Sequence, residues 1–155
     1  MTGKRWTLAW LAQRHPRVAL DANVLIYLLE GAEQGGREAA ALIDAIAEGS
    51  IDGSMATVGE VEILAGPAAR GDSAAFERTV NEMRDLGLRL IPLSSAIAAD
   101  AAWLRGQGGV GLPDAIHLAT ARAVGATAFV TNDRRIRSSP NLAVLALDDF
   151  DVHTA

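Results

Sequence analysis

The stretch "VALDANVLIYLLE" (residues 18–30) places an acid where two buried-looking segments meet. Val18 to Leu20 is a short apolar run of the kind that forms a strand, and Asp21 ends it. Asn23 follows one residue on, and Val24 to Leu29 are then six apolar residues in a row. A carboxylate at such a junction loses water. Its charge must be met by the first turn of a helix or by a cation. The other acids of the chain decide between the two.

Composition narrows the setting. The chain has 155 residues, half of them apolar, which suits one domain with a real core. It has no cysteine, so disulfides and thiolate-bound zinc are excluded and a reducing, cytoplasmic setting is expected. No apolar run approaches the roughly 18 residues of a membrane span. The opening "MTGKRWTLAWLAQRHP" lacks the apolar region of a signal peptide. The net charge of −5 argues against a protein that coats nucleic acid through a basic surface. An enzyme that meets nucleic acid at one local site through a metal stays open.

Outward from residues 18–30, strand-like and helix-like segments alternate. Strands are expected at 17–20, 50–57, 88–93, 126–131 and 142–147. Helices are expected at 22–30, 37–49, 58–66, 73–87, 94–108 and 112–125, with Gly66 and Pro67 ending the third of them. Thr57 and Glu60 have capping-box spacing. The alternation predicts βαβ units: an α/β fold of three layers, with a central, mostly parallel sheet flanked by helices. Residues 1–16 read as an N-terminal extension with a short helix, in which Trp6 and Trp10 can both dock on the body. Residues 17–149 read as the domain, and 150–155 as a C-terminal tail. "GQGGVG" (106–111) lacks phosphate-loop spacing and reads as a mobile loop.

In a parallel sheet, ligands sit beyond the carboxyl ends of the strands, where the strand order reverses. Asp21 lies at the end of the first strand and Asp133, in "AFVTND", just beyond a later one. Asp114 opens a helix after the glycine-rich loop, and Glu62 lies in the helix after the second strand. Four acids so placed can form one cluster. Such a cluster stays ionised only with a cation, and Mg²⁺ or Mn²⁺ takes oxygen ligands and keeps waters. Carboxylates with a hard divalent ion suit metal-assisted hydrolysis of a phosphodiester.

The stretches "LDANVLIYLLE", "EILAGP", "LPDAIHLATA" and "FVTNDRR" occur in an order and spacing that resembles the PIN-domain ribonucleases, and among them the VapC toxins of toxin–antitoxin pairs. The resemblance runs from about residue 17 to 149. It implies the PIN fold and a Mg²⁺- or Mn²⁺-dependent endoribonuclease that leaves 5′-phosphate and 3′-hydroxyl ends. Asp21, Glu62, Asp114 and Asp133 match the family's catalytic, metal-binding acids. Asn23 matches its small polar position, and Thr131 and Asn132 match polar positions that orient the site. It also implies a cognate VapB-like antitoxin that inserts a basic residue into the acidic site, and a homodimer. Two positions depart from or blur the pattern. Glu60 competes with Glu62, and counting back from Gly66-Pro67 favours Glu62. Gly59 stands where the family often has a hydroxyl residue, so one hydrogen bond to the glutamate is expected to be missing.

Each feature also has a plainer reading. Asp21 and Asp114 suit helix starts, and Asp133 suits a turn. His117 reads as a packed or hydrogen-bonded helix residue. Arg134, Arg135 and Arg137 suit either phosphate contact or a solvated turn. Asp148, Asp149 and Asp151 read as a solvated edge, and Trp103 and Leu104 as core or dimer contact. Two rival functions use the same acids: a catalytically weak PIN domain that only binds RNA or protein, and a phosphatase of the haloacid dehalogenase type. The second needs an acid where Asn23 stands and a later lysine, and Lys4 is the only lysine.

Overall fold

The computed structural model describes residues 5–153, so Lys4 and the outer ends of both terminal segments lie outside the described residues. Five strands form one sheet: β1 (Arg17–Leu20), β2 (Asp52–Ala56), β3 (Arg89–Ile91), β4 (Ala128–Thr131) and β5 (Ala143–Ala146). Their order is β3-β2-β1-β4-β5, and every pairing is parallel. The helices are α1 (Leu8–Arg14), α2 (Ala22–Leu29), α3 (Gly36–Ala47), α4 (Val58–Ala69), α5 (Ser73–Arg84), α6 (Ser95–Gly106) and α7 (Leu112–Ala123). A 3₁₀ turn (Leu147–Asp149) follows β5. The expected α/β architecture is the one observed.

Strand alternation sorts the core into two layers. Val18 and Leu20 of β1, with Val130 of β4, face a cluster that holds Val24 and Leu25 of α2 and Leu42 and Ile46 of α3. Ala19 and Phe129 point the other way, where Ala121 of α7 packs. Ala115 and Ala119 of α7 pack with Ala56, Ile97 and Ala101, so α6 and α7 cover the second face. Both faces of the central strands are buried, which explains why the strands read as apolar runs rather than as alternating ones.

The chain builds β1, β2 and β3 outward in one direction, then crosses back to lay β4 on the other side of β1. The order therefore reverses between β1 and β4. Leu20 is in register with Val130, and the Asp21 N–H donates to the Val130 carbonyl at 3.0 Å, carrying the pairing one residue beyond the strand. Asp21 and Thr131 consequently leave the sheet side by side.

Four local expectations need correction. Gly66-Pro67 does not end α4, which runs to Ala69 with Pro67 buried inside it. A proline there forfeits only one bond, near the helix end. The true stop is a Schellman motif at Gly71 (φ +65°), where Gly71 N–H reaches Ala68 O and Asp72 N–H reaches Pro67 O. Thr57 does not form a capping box, because its backbone is already helical and its side chain makes no cap bond. Of the two early tryptophans Trp6 is buried, whereas Trp10 is 36% exposed and meets His15 edge-on. Trp103 is 68% exposed, so it is not a core residue.

Candidate metal centre

Asp21 occupies the N-cap position of α2, yet its side chain makes no cap bond to the helix. It turns instead toward the end of β4. Thr131 Oγ1 donates to Asp21 Oδ2 at 2.6 Å, and Asn23 Nδ2 approaches the same oxygen at 3.4 Å and Thr131 Oγ1 at 3.3 Å. Thr131 Oγ1 also accepts from the Asp133 N–H at 2.9 Å. One buried hydroxyl thus ties both strand ends together. The Asp21 carboxylate is held by the end of β4 rather than by the first turn of α2.

From the other face, α7 delivers His117 and α4 delivers Glu62. His117 is 1% exposed, and its Nε2 lies 2.7 Å from Glu62 Oε1 and 3.7 Å from Asp21 Oδ1. Asp21, Glu62 and His117 offer ligand atoms that all lie within 4.8 Å of one another. Glu60 is outside this group: two residues along a helix point to opposite sides. The hydroxyl that Gly59 lacks has a substitute, since His117 makes the hydrogen bond to Glu62. Gly59 itself is buried where an added Cβ would come within 2.6 Å of the Met55 sulfur.

Electrostatics mark the group as short of positive charge. Burial raises the Asp21 carboxyl above the usual range, and Glu62 adds to that, against the Thr131 hydrogen bond and His117. Asp114, in the first turn of α7, is also raised. Burial leads, followed by repulsion from Asp21 and Asp133. Asp114 therefore shares the field of the cluster. Asp133 behaves differently. Arg135 forks onto it, with Nε 2.9 Å from Oδ1 and Nη2 2.7 Å from Oδ2, and that pair holds the Asp133 carboxyl below its usual range.

Asn132 is not brought to the acids. It faces Asp148, donating to Oδ1 at 3.2 Å and accepting from the Asp148 N–H at 2.9 Å. That exchange also engages an acid expected to be merely solvated. Arg134 reaches Asp149 at 3.5 Å. His117, read from sequence as a packed or hydrogen-bonded helix residue, is both buried and hydrogen-bonded, and its partner is a candidate ligand. Nothing in the sequence showed Glu62 beside it, because that contact joins α7 to α4.

The PIN domain family profile matches residues 18–141. The chain belongs to the PIN domain family. No curated protein matches it. Among solved structures, this PIN domain is similar to a toxin–antitoxin complex from Klebsiella pneumoniae, with 25% identity and a TM-score of 0.62 over 81% of this chain and 95% of that one. It is also similar to VapBC2 from Rickettsia felis, bound to a DNA fragment from its promoter, with 18% identity and a TM-score of 0.67 over 84% and 98%. A third is VapC20 of Mycobacterium tuberculosis, a sarcin–ricin loop cleaving toxin, with 14% identity and a TM-score of 0.58 over 72% and 86%. No helix among the described residues is long and apolar enough to cross a membrane.

Proposed function

We propose that this PIN domain is a metal-dependent endoribonuclease of the VapC toxin type, acting on RNA in the cytoplasm and held in check by a VapB-like antitoxin. The carrying observation is the convergence of Asp21, Glu62 and His117 within 4.8 Å at the switch point of the sheet, with Asp21 buried and its carboxyl raised. The donor set fits a divalent cation, because its carboxylates repel each other and Asp21 has no arginine or lysine partner among the described residues. The toxin assignment draws on the structural neighbours, a toxin–antitoxin complex, VapBC2 and the sarcin–ricin loop cleaving toxin VapC20.

Asp21 and Glu62 would hold Mg²⁺ or Mn²⁺, with Asp114 completing the acidic wall. When bound, the ion supplies charge that activates water and steadies the phosphodiester. Thr131 and Asn23 keep Asp21 aimed into the site. Asp133 can join only when Arg135 lets go. Asn23 carries no exchangeable acid proton, so the phosphatase reading lacks its acid/base. The acidic pocket would accept a basic antitoxin residue. Trp103, 68% exposed on α6, would suit contact with a second copy.

RNA cleavage with Mn²⁺ tests this proposal. Wild type is expected to cut and Asp21→Asn to lose at least a hundredfold, the loss typical of a removed transition-state contact. Equal rates in both proteins would sink the assignment.

A further inference from the structure

A cleft of about 500 Å³ opens beside Asp114, away from the Asp21–Glu62–His117 group. Its floor is aliphatic: Val110, Leu118, Ile136 and Leu142 line it. Its charged lining is unlike that of the chain as a whole. Three arginines, Arg122, Arg135 and Arg137, border it in a protein of net charge −5. Arg122 reaches Asp100 only at 3.5 Å, and Arg137 makes no ion pair among the described residues. Gly108 and Gly109, both in the left-handed region (φ +90° and +80°), carry the loop between α6 and α7 along one side.

This combination is specific. The volume lies in the range of small-ligand sites. Aliphatic side chains can take the face of a flat, uncharged ring. Guanidinium groups fit phosphate oxygens in a fork. The cleft borders the acidic site: its lining includes Asp114, whose carboxyl feels the repulsion of Asp21 and Asp133, and Arg135, the partner of Asp133. A group lodged here would be joined to whatever reacts at Asp21.

We propose that the cleft is the subsite for a nucleotide flanking the scissile phosphate of a single-stranded RNA. Its base rests on the aliphatic floor, and its phosphate lies against Arg122 and Arg137. The inference rests on the endoribonuclease reading. It goes further by assigning residues to substrate recognition. With no aromatic side chain lining the cleft, the base is selected by size rather than by stacking.

The test uses the full chain with Mn²⁺ and a pool of short single-stranded RNAs randomised around the cut. Arg137→Ala is expected to raise KM roughly tenfold, the effect of one lost charged hydrogen bond, with kcat little changed. The slope of log kcat/KM against log salt is expected to flatten by about one. Val110→Phe, which narrows the cleft, is expected to change base preference at one flanking position only. Unchanged KM and salt slope in Arg137→Ala, or unchanged preference in Val110→Phe, would overturn the subsite while wild-type cleavage keeps the nuclease reading alive. A wild type that cuts no RNA in the pool overturns both. If Arg137→Ala leaves cleavage unchanged and weakens only binding of an acidic peptide, the cleft is a protein-docking site and the inference is wrong.

Discussion

Thr131 Oγ1 donates to Asp21 Oδ2 at 2.6 Å and accepts the Asp133 N–H at 2.9 Å, so one hydroxyl fixes an acid from each of two neighbouring strand ends. Thr131 is 1% exposed, so both bonds are made away from bulk solvent. Thr131→Val keeps the shape and removes both bonds. It leaves a buried N–H without its acceptor, which should cost about 1–3 kcal/mol by urea unfolding. Mn²⁺ affinity measured by calorimetry should fall about 10–100-fold. Thr131→Ser should recover most of both losses. A valine variant that binds Mn²⁺ as wild type does would show that the hydroxyl does not orient Asp21.

The raised carboxyls predict an unusual pH dependence. Burial is the main cause at both Asp21 and Asp114. A carboxyl raised on folding favours the fold below its ordinary value of 3.8 and loses that contribution as pH climbs through the folded value. Metal-free protein therefore carries a burden at neutral pH. Asp21→Asn should relieve it, raising the melting temperature at about pH 7 by about 2–4 °C for each kcal/mol recovered, with the gain fading toward about pH 4. Mn²⁺ should raise the wild-type melting temperature and leave the variant's unchanged. Asp133 works the other way, since Arg135 lowers its carboxyl. Its contribution is present above the ordinary value and lost on acidification, and solvent screening at that exposed pair keeps it small. Identical melting of wild type and Asp21→Asn at neutral pH would refute the burden.

His117 holds Glu62 at 2.7 Å, and among the described residues no other hydrogen bond to the Glu62 carboxylate competes with it. A glutamate has three side-chain torsions, so without this strut it would spread over solvent conformers. His117→Leu should weaken Mn²⁺ binding about 10–100-fold while leaving stability near wild type, because the buried Nδ1, which has no partner among the described residues, goes with it. His117→Gln, whose amide can still donate to Glu62, should recover much of the affinity. Equal affinity in wild type and the leucine variant would assign His117 to packing alone.

The sheet was legible because β1, β4 and β5 are short apolar runs and because Asp21 and Asp133 close two of them, whereas β2, with Asp52, Gly53 and Ser54, carries a weak strand signal. Of the four acids expected to cluster, Asp21 and Glu62 meet in the fold, with His117 as the third member, whereas Asp133 is taken by Arg135. Other features depend on contacts made only in the fold. Asn132 meets Asp148 sixteen residues on, after β5 has returned beside β4. Arg135 is two residues from Asp133, yet whether it forks onto that acid or faces solvent depends on how the turn closes. Pro67 reads as a stop in any sequence, and only the bonds around Gly71 show that the helix passes it. His117 has the same spacing whether it packs or holds a ligand. Its partner comes from α4, 55 residues away.

The family match begins at residue 18 and ends at 141, yet the two flanks clasp each other. The Trp6 ring stacks on Phe150 with centroids 4.3 Å apart and planes 9° apart, and its Nε1 donates to Ala146 O at 2.9 Å. Backbone bonds from Trp6 N–H to Asp149 O and from Asp151 N–H to Trp6 O lock the crossing. Leu11 of α1, fully buried, joins the same core as Leu147 and Phe150. The segment from residue 5 onward is therefore expected to act as part of the domain and not as an appendage. Trp6→Ala should cost about 3–5 kcal/mol in urea unfolding. Trp6→Phe, which keeps the stack and loses the Nε1 bond, should cost about 1 kcal/mol. Mn²⁺ affinity should stay at the wild-type value in both variants, since the clasp closes on the end of β5 and the turn after it and makes no bond to Asp21 or Glu62. Unfolding of Trp6→Ala at the wild-type urea midpoint would show that the clasp contributes nothing and that the domain begins at β1.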